Sequence, residues 1–276
     1  MALPLVVLVI APVGLLVALT VALRRRPGRF DRHSTAPVLA GLLVGAASAA
    51  AVWLADSPRH HLVLTLPAVA GLGWLAGVVV AERTRGHALG TARTASLLPR
   101  VPGRYLGRHT LTLMRTTFAL AAAVAVAGIV LAAPDGASFA RLCADGSVSG
   151  HGPFPGARYA VPALAALGLG WLGTEWALRE VSRRPPVGPD EQADAAVRGY
   201  GARTAIVAAG LIAVPILGGL LVPMGAGLHG ACPGPTVSTV GAMLFWSGGL
   251  LILLSLLAWS AALASAGRAV VAVPRR

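Results

Sequence analysis

An all-α, polytopic transmembrane bundle of seven helices is the fold class this sequence predicts. Three observations predict it. Of 276 residues, 56% are hydrophobic and only 12% are charged, and the mean hydropathy is +0.74. Soluble domains carry about 25% charged residues. The apolar residues are gathered into seven runs, each long enough to cross a hydrocarbon layer of roughly 30 Å, which takes about 20 helical residues. The arginines then alternate between the connections that join those runs.

The runs are Ala2–Leu23, Pro37–Ala55, Leu62–Ala81, Leu111–Ala133, Tyr159–Leu178, Thr204–Met224 and Val240–Ala264. Unpaired backbone polar groups cannot face lipid, so each run is expected to be a helix. The first run reads as an uncleaved helix and not as a signal peptide. Met1–Ile10 has no charged side chain, and Arg24, Arg25 and Arg26 follow the run instead of preceding it. The seven runs make a single transmembrane domain over residues 1–276.

Every residue in the Lys+Arg count of 23 is arginine. Odd-numbered connections and the tail hold 20 of these arginines, with Arg115 counted in the third connection, and even-numbered connections hold 3. The positive-inside rule therefore sets the N-terminus outside and the C-terminus in the cytoplasm. The net charge of +13 would also suit nucleic acid, but topology already accounts for the arginines and no nucleic-acid partner is expected. Arginine without lysine, with abundant Ala, Gly, Val and Pro, points to a GC-rich bacterial genome and thus to a bacterial plasma membrane.

The pentapeptide Gly71–Leu75, GLGWL, recurs at Gly168–Leu172. Both copies lie in runs directed inward and both precede a long basic loop. A parallel hairpin repeat, 62–133 and 159–224, would account for this. Gly41 with Gly45, and Gly73 with Gly77, are small-xxx-small pairs that let helix backbones approach closely. They are expected to serve contacts within the chain and not between chains. Pro215 falls in the middle of the sixth run and should kink it.

Residues able to carry chemistry are few. Cys143 and Cys232 are the only cysteines, and the topology puts both outside, where disulfides persist. A Cys143–Cys232 bridge between the two longest outer connections is expected, ordering loops otherwise rich in Gly and Pro. His60, His61, His151 and His229 also fall outside, without the spacing of a compact metal motif, so no metal is expected. Glu175 is the carboxylate nearest to a run's interior, and it is expected to pair with Arg179 at i,i+4. Trp176 reads as an interfacial anchor. Glu175, His151 and His229 are the functional candidates. There is no P-loop and no HExxH, and GSVSG at Gly146–Gly150 lacks the spacing of a nucleophile elbow. No catalytic residue, cofactor site or metal site is assigned, and an enzyme is not expected.

The third connection, 82–110, contains Arg83, Arg85, Arg93, Arg100, Arg104 and Arg108 with Tyr105, Pro99 and Pro102. Glu82 closes the run before it. The fifth, 179–203, contains an extended Pro/Gly part and a segment, Asp190–Tyr200, expected to form a short polar helix. Both connections suit anionic lipid headgroups at the cytoplasmic face, where each arginine contributes about 1 kcal/mol. Both also suit a cytosolic protein partner. In the stretches Glu82–Arg85 (ERTR), Ala92–Arg100 (ARTASLLPR), Arg104–Arg108 (RYLGR), Arg183–Pro185 (RRP) and Asp190–Arg198 (DEQADAAVR), the chain resembles a family of uncharacterised actinobacterial integral membrane proteins. The resemblance implies a plasma-membrane location and carries over no activity.

The expected function is that of a non-enzymatic membrane component or accessory subunit, with the alternative of a permease for an apolar or lipid-like solute. A polar path lined by Ser, Thr and Gly would favour the permease, and a solid apolar core with ordered basic segments would favour the component. A membrane enzyme would need His60, His61, His151 and His229 gathered at one outer pocket.

Overall fold

The computed structural model describes residues 32–56, 62–84, 103–106, 108–143, 145–185, 191–230 and 235–269. The first predicted run, His60, His61, Cys232, residues 85–102 of the third connection and the end of the tail lie outside the described residues.

Six long helices are present among the described residues: α1 (Arg32–Ala55), α2 (Leu66–Thr84), α4 (Arg108–Leu131), α5 (Ala157–Arg183), α6 (Glu191–Gly230) and α7 (Pro235–Ala269). A single 3-10 turn, Val63–Thr65, leads into α2, and a one-turn helix, α3 (Gly103–Leu106), precedes α4. Five helices are long and apolar enough to cross a membrane, and the sixth, α1, contributes the shorter apolar stretch Ala40–Ala55. These helices make the chain compatible with a multi-pass membrane protein.

Most helices run past at least one predicted end, most of all α6, while α2 starts at Leu66, inside the predicted Leu62, and α4 stops at Leu131, before the predicted Ala133. The fifth connection was expected to hold a separate polar helix, yet Glu191–Gly230 is one continuous helix of 40 residues. The physical reason is local. Glu191–Arg198 has good helix formers and an Asp194–Arg198 pair at i,i+4, so nothing breaks the helix before Thr204. The break comes earlier, where α5 stops at Arg183. Arg184 is extended (φ −50°, ψ 140°) because Pro185 follows it. The helix continues through Pro215 and Pro223.

The architecture has an inner group and two flanks. α6 is central and touches α2, α4, α5 and α7. Its apolar window is 61% buried, against 17% for α7, so α6 belongs to the interior and α7 to the periphery. The core is formed by Leu75, Val78, Leu178, Val181, Ile212, Ile216 and Leu220. Thr174 and Ser182, both buried, donate to the carbonyls of Gly170 and Leu178 one turn back, so these hydroxyls are satisfied within α5.

Glycine seams join the flanks to this group. The two predicted pairs meet each other. A Cβ built on Gly73 would lie 2.5 Å from the Gly41 carbonyl oxygen, and one on Gly45 would lie 2.6 Å from that of Ala70. A second seam joins α6 to α7: a Cβ on Gly218 would lie 2.8 Å from the Gly248 oxygen, and one on Gly225 would lie 2.6 Å from that of Gly241. Lipid offers no hydrophobic drive between helices, so this backbone contact is what holds a flank in place. The outward side of α7 then shows Met243, Trp246, Leu250, Leu253 and Leu257, as a lipid-facing surface should.

The all-α expectation needs one correction. Phe139–Leu142 (β1) and Val148–His151 (β2) pair as an antiparallel hairpin, Phe139 opposite His151, within the connection between α4 and α5. Asp145-Gly146 is the turn signal in the sequence; Gly146 has φ +81°, the left-handed conformation that this hairpin turn requires. The Asp145 carboxylate accepts hydrogen bonds from the Ser147 hydroxyl and amide, which hold its pKa below the usual range. The GSVSG segment is this hairpin's return strand.

Gly73→Leu is expected to lower the unfolding temperature in detergent, at a cost of about 1–3 kcal/mol for overpacking. Gly168→Leu, at a position with open space around it, is the control and should leave that temperature unchanged. A thermal melt followed by tryptophan fluorescence reads both, and equal shifts would show that the seam does not hold α1 to α2.

Candidate functional site at the arginine-rich end

α2 and α5 finish, and α6 begins, at the same end of the bundle. There the chain buries four charged side chains together. Arg184 Nε lies 2.9 Å from Glu82 Oε2, and Arg184 Nη2 lies 3.2 Å from Asp194 Oδ1. Arg198 Nε completes the set, 2.6 Å from Asp194 Oδ2. The side chains of Glu82, Arg184 and Arg198 are at most 3% exposed, and that of Asp194 is 14% exposed. Two cations and two anions make the set neutral, which is the condition for keeping charge away from water.

Backbone geometry completes the set. Arg198 Nη1 donates to the carbonyls of Val181 (3.0 Å) and Ser182 (2.8 Å), and Nη2 donates to that of Arg184 (2.6 Å). These are carbonyls that the end of α5 leaves without intrahelical partners, so the Arg198 guanidinium caps that helix. Gly201 leaves room for Glu82: a Cβ there would lie 2.5 Å from Glu82 Oε1. The set therefore ties the ends of α2 and α5 to the start of α6.

Partly exposed pairs surround the buried set. Arg83 pairs with Glu180 and lies over the Trp176 ring, 5.3 Å from its centroid, while Trp176 Nε1 donates to Glu180 at 3.0 Å. Glu175 pairs with Arg115, at 2.8 Å from Nη2 and 3.1 Å from Nε. The predicted Glu175–Arg179 pair is thus replaced by a contact from α5 to α4. An i,i+4 rule sees only one helix, and here a neighbouring helix supplies the nearer cation. Glu82, Arg184 and Arg198, read from the sequence as a helix end and two headgroup arginines, prove to be buried. Glu82 lies about 100 residues before the two arginines in the chain. Only the i,i+4 spacing of Asp194 and Arg198 was open to sequence reasoning.

The other candidates lie at the opposite, hairpin end. His229 Nδ1 contacts Ser238 Oγ (2.9 Å) and the Ser238 carbonyl (3.0 Å), which ties α6 to α7. His151 lies against the end of α6: a Cβ on Gly230 would be 3.4 Å from His151 Nδ1. No group of three or more His, Cys, Asp or Glu side chains able to hold a metal ion occurs among the described residues. Phe154, fully buried, stacks near Phe139 (ring centroids 5.2 Å apart) and packs on Met224, so the hairpin closes this end with an apolar plug. Cys143 is buried beside the hairpin turn, and no free cysteine occurs among the described residues.

The two GLGWL segments share one partner through different glycines. Gly71 and Gly170 both face Ile212, whereas Gly73 faces α1 and Gly168 faces open space. Comparisons with protein families, curated proteins and solved structures find no match to this chain.

Glu82→Gln is expected to destabilise the protein by about 3–5 kcal/mol, the cost of leaving a buried partner charge uncompensated. The double variant Glu82→Leu/Arg184→Met, which removes both charges, should recover most of that loss. Chemical unfolding in a mild detergent compares the two, and a double variant as unstable as the single one would show that the pair itself is not what matters.

Proposed function

We propose that this chain is a non-enzymatic component of a bacterial plasma membrane, a scaffold or accessory subunit. Its N-terminus is outside and its arginine-rich end is cytoplasmic. The run Ala2–Leu23 supplies the seventh helix. The observation that carries this reading is the solid interior. Leu75, Leu178, Ile212, Ile216 and Leu220 fill the space among α2, α4, α5 and α6, and the buried hydroxyls of Thr174 and Ser182 are turned back on their own helix. A solute path would need polar groups facing one another across that space. The interior has none among the described residues, and the polarity is concentrated at one end.

That end offers a rigid surface to a cytosolic partner. The pairs Arg83–Glu180 and Arg115–Glu175 tie α2, α4 and α5 together at the end of the bundle where α2 and α5 finish and α6 begins. At the other end, Cys143 and Cys232 form the bridge that ties the hairpin to the connection between α6 and α7. The hairpin packs on α6, the helix that precedes residues 231–234 in the chain.

Three experiments test this reading. Affinity capture from membranes should recover a partner with the full chain and lose it when residues 86–102 are replaced by a Gly/Ser linker of equal length. Unchanged capture, or no partner at all, would count against the accessory role. A reporter fused after Arg276 should be active only in its cytoplasmic form, and an external reporter signal would reverse the orientation. Non-reducing peptide mapping should recover the Cys143 and Cys232 peptides as one species, and two alkylated thiols would remove the bridge.

A further inference from the structure

The face of α6 that turns away from the buried set has a different character. Asp194, Arg198 and Gly201 point inward, while Ala195, Ala196, Gly199 and Arg203 share the other side of the helix at turn spacing. With Tyr105 of α3 they line an open groove of about 320 Å³. Gly199 forms its floor, and a Cβ there would meet nothing within 4 Å. We propose that this groove seats the phosphate of an anionic phospholipid from the cytoplasmic leaflet, with Arg203 and the Tyr105 hydroxyl as its donors. The proposal rests on the orientation given above.

Three observations support it. The first is charge. Glu82, Glu175, Glu180 and Asp194 at this end are each engaged by Arg184, Arg115, Arg83 or Arg198. Arg203 is exposed and has no carboxylate partner among the described residues, and the sequence of the connection 85–110 contains no Asp or Glu. The second is depth. A 40-residue helix is about 60 Å long, roughly twice the hydrocarbon thickness, so the first turns of α6 stand outside the apolar layer. Arg203 immediately precedes the apolar run that begins at Thr204, which puts its guanidinium at phosphate level, and Tyr is enriched at the same level. The third is shape. The small residues Ala195, Ala196 and Gly199 leave the groove open, with room for a headgroup beside Arg203 and Tyr105. Guanidinium and phosphate then form charge-assisted hydrogen bonds.

Native mass spectrometry of the full chain, released from nanodiscs of mixed phosphatidylglycerol and phosphatidylcholine, tests the proposal. The wild type should retain phosphatidylglycerol preferentially. Arg203→Gln should reduce that preference about fivefold, the value of one interfacial arginine. Gly199→Leu, which fills the groove and leaves every charge in place, should reduce it comparably. Arg179→Gln removes the same charge from an exposed site on α5 and should leave the preference nearly intact. Equal losses for Arg203→Gln and Arg179→Gln would show a diffuse basic field and overturn the site, as would an unaffected Gly199→Leu variant. Displacement of the lipid by millimolar inorganic phosphate would make a soluble phosphate compound the occupant and also overturn it. A chain that keeps its loop-dependent protein partner while failing these tests would remove the lipid site and leave the accessory role standing. A chain that alkaline carbonate extracts from membranes would remove the membrane reading itself.

Discussion

The ends of α2, α5 and α6 are held by one neutral set of buried charges: Glu82, Arg184, Asp194 and Arg198. Charge of this kind is costly to remove from water unless every member has partners of opposite sign and its remaining hydrogen-bonding atoms are used. Arg198 shows how completely that is done, with three backbone carbonyls and one carboxylate around a single guanidinium. Directional bonds of this sort also fix rotation. With Asp194 and Arg198 turned inward, Ala195, Gly199 and Arg203 must face outward, so the buried set decides which face of α6 meets its surroundings.

Away from that end, the structure depends on contact and not on charge. Helices in an apolar solvent gain little from hiding apolar side chains, and close backbone packing has to supply the difference. Glycines do this twice, along the seam of α1 with α2 and along that of α6 with α7. The two flanks can therefore be lipid-facing on one side and still well seated. The inner helices use Leu, Ile, Val and Ala, and the hydroxyls of Thr174 and Ser182 are satisfied locally, which leaves no polar thread among the described residues of the bundle.

The hairpin end is built by turns and aromatic rings. Asp135 accepts from the amides of Ala137 and Ser138, and these bonds, together with the Ser138 hydroxyl, keep its carboxyl below the usual pKa range. Asp145 does the same for the hairpin turn. Phe154 and Phe139 then bury the underside of the hairpin against Met224, and a connection rich in Gly and Pro becomes an ordered cover.

Long apolar runs, arginine spacing and the Gly-xxx-Gly pairs were legible in the sequence, because each depends on residues close together along one helix. They set the helical class, the approximate spans and the seam between α1 and α2. The Asp145-Gly146 turn is legible too, as a short local signal among much stronger helix signals. Tertiary structure alone decided the partners of the charges. Glu175 takes Arg115 instead of the adjacent Arg179, and Glu82 takes Arg184 from a helix about 100 residues away. An arginine bound for a headgroup and one bound for a buried carboxylate look the same in a sequence. What separates them is whether folding brings an acid within about 3 Å and closes the water off, and that is a property of three helix ends meeting.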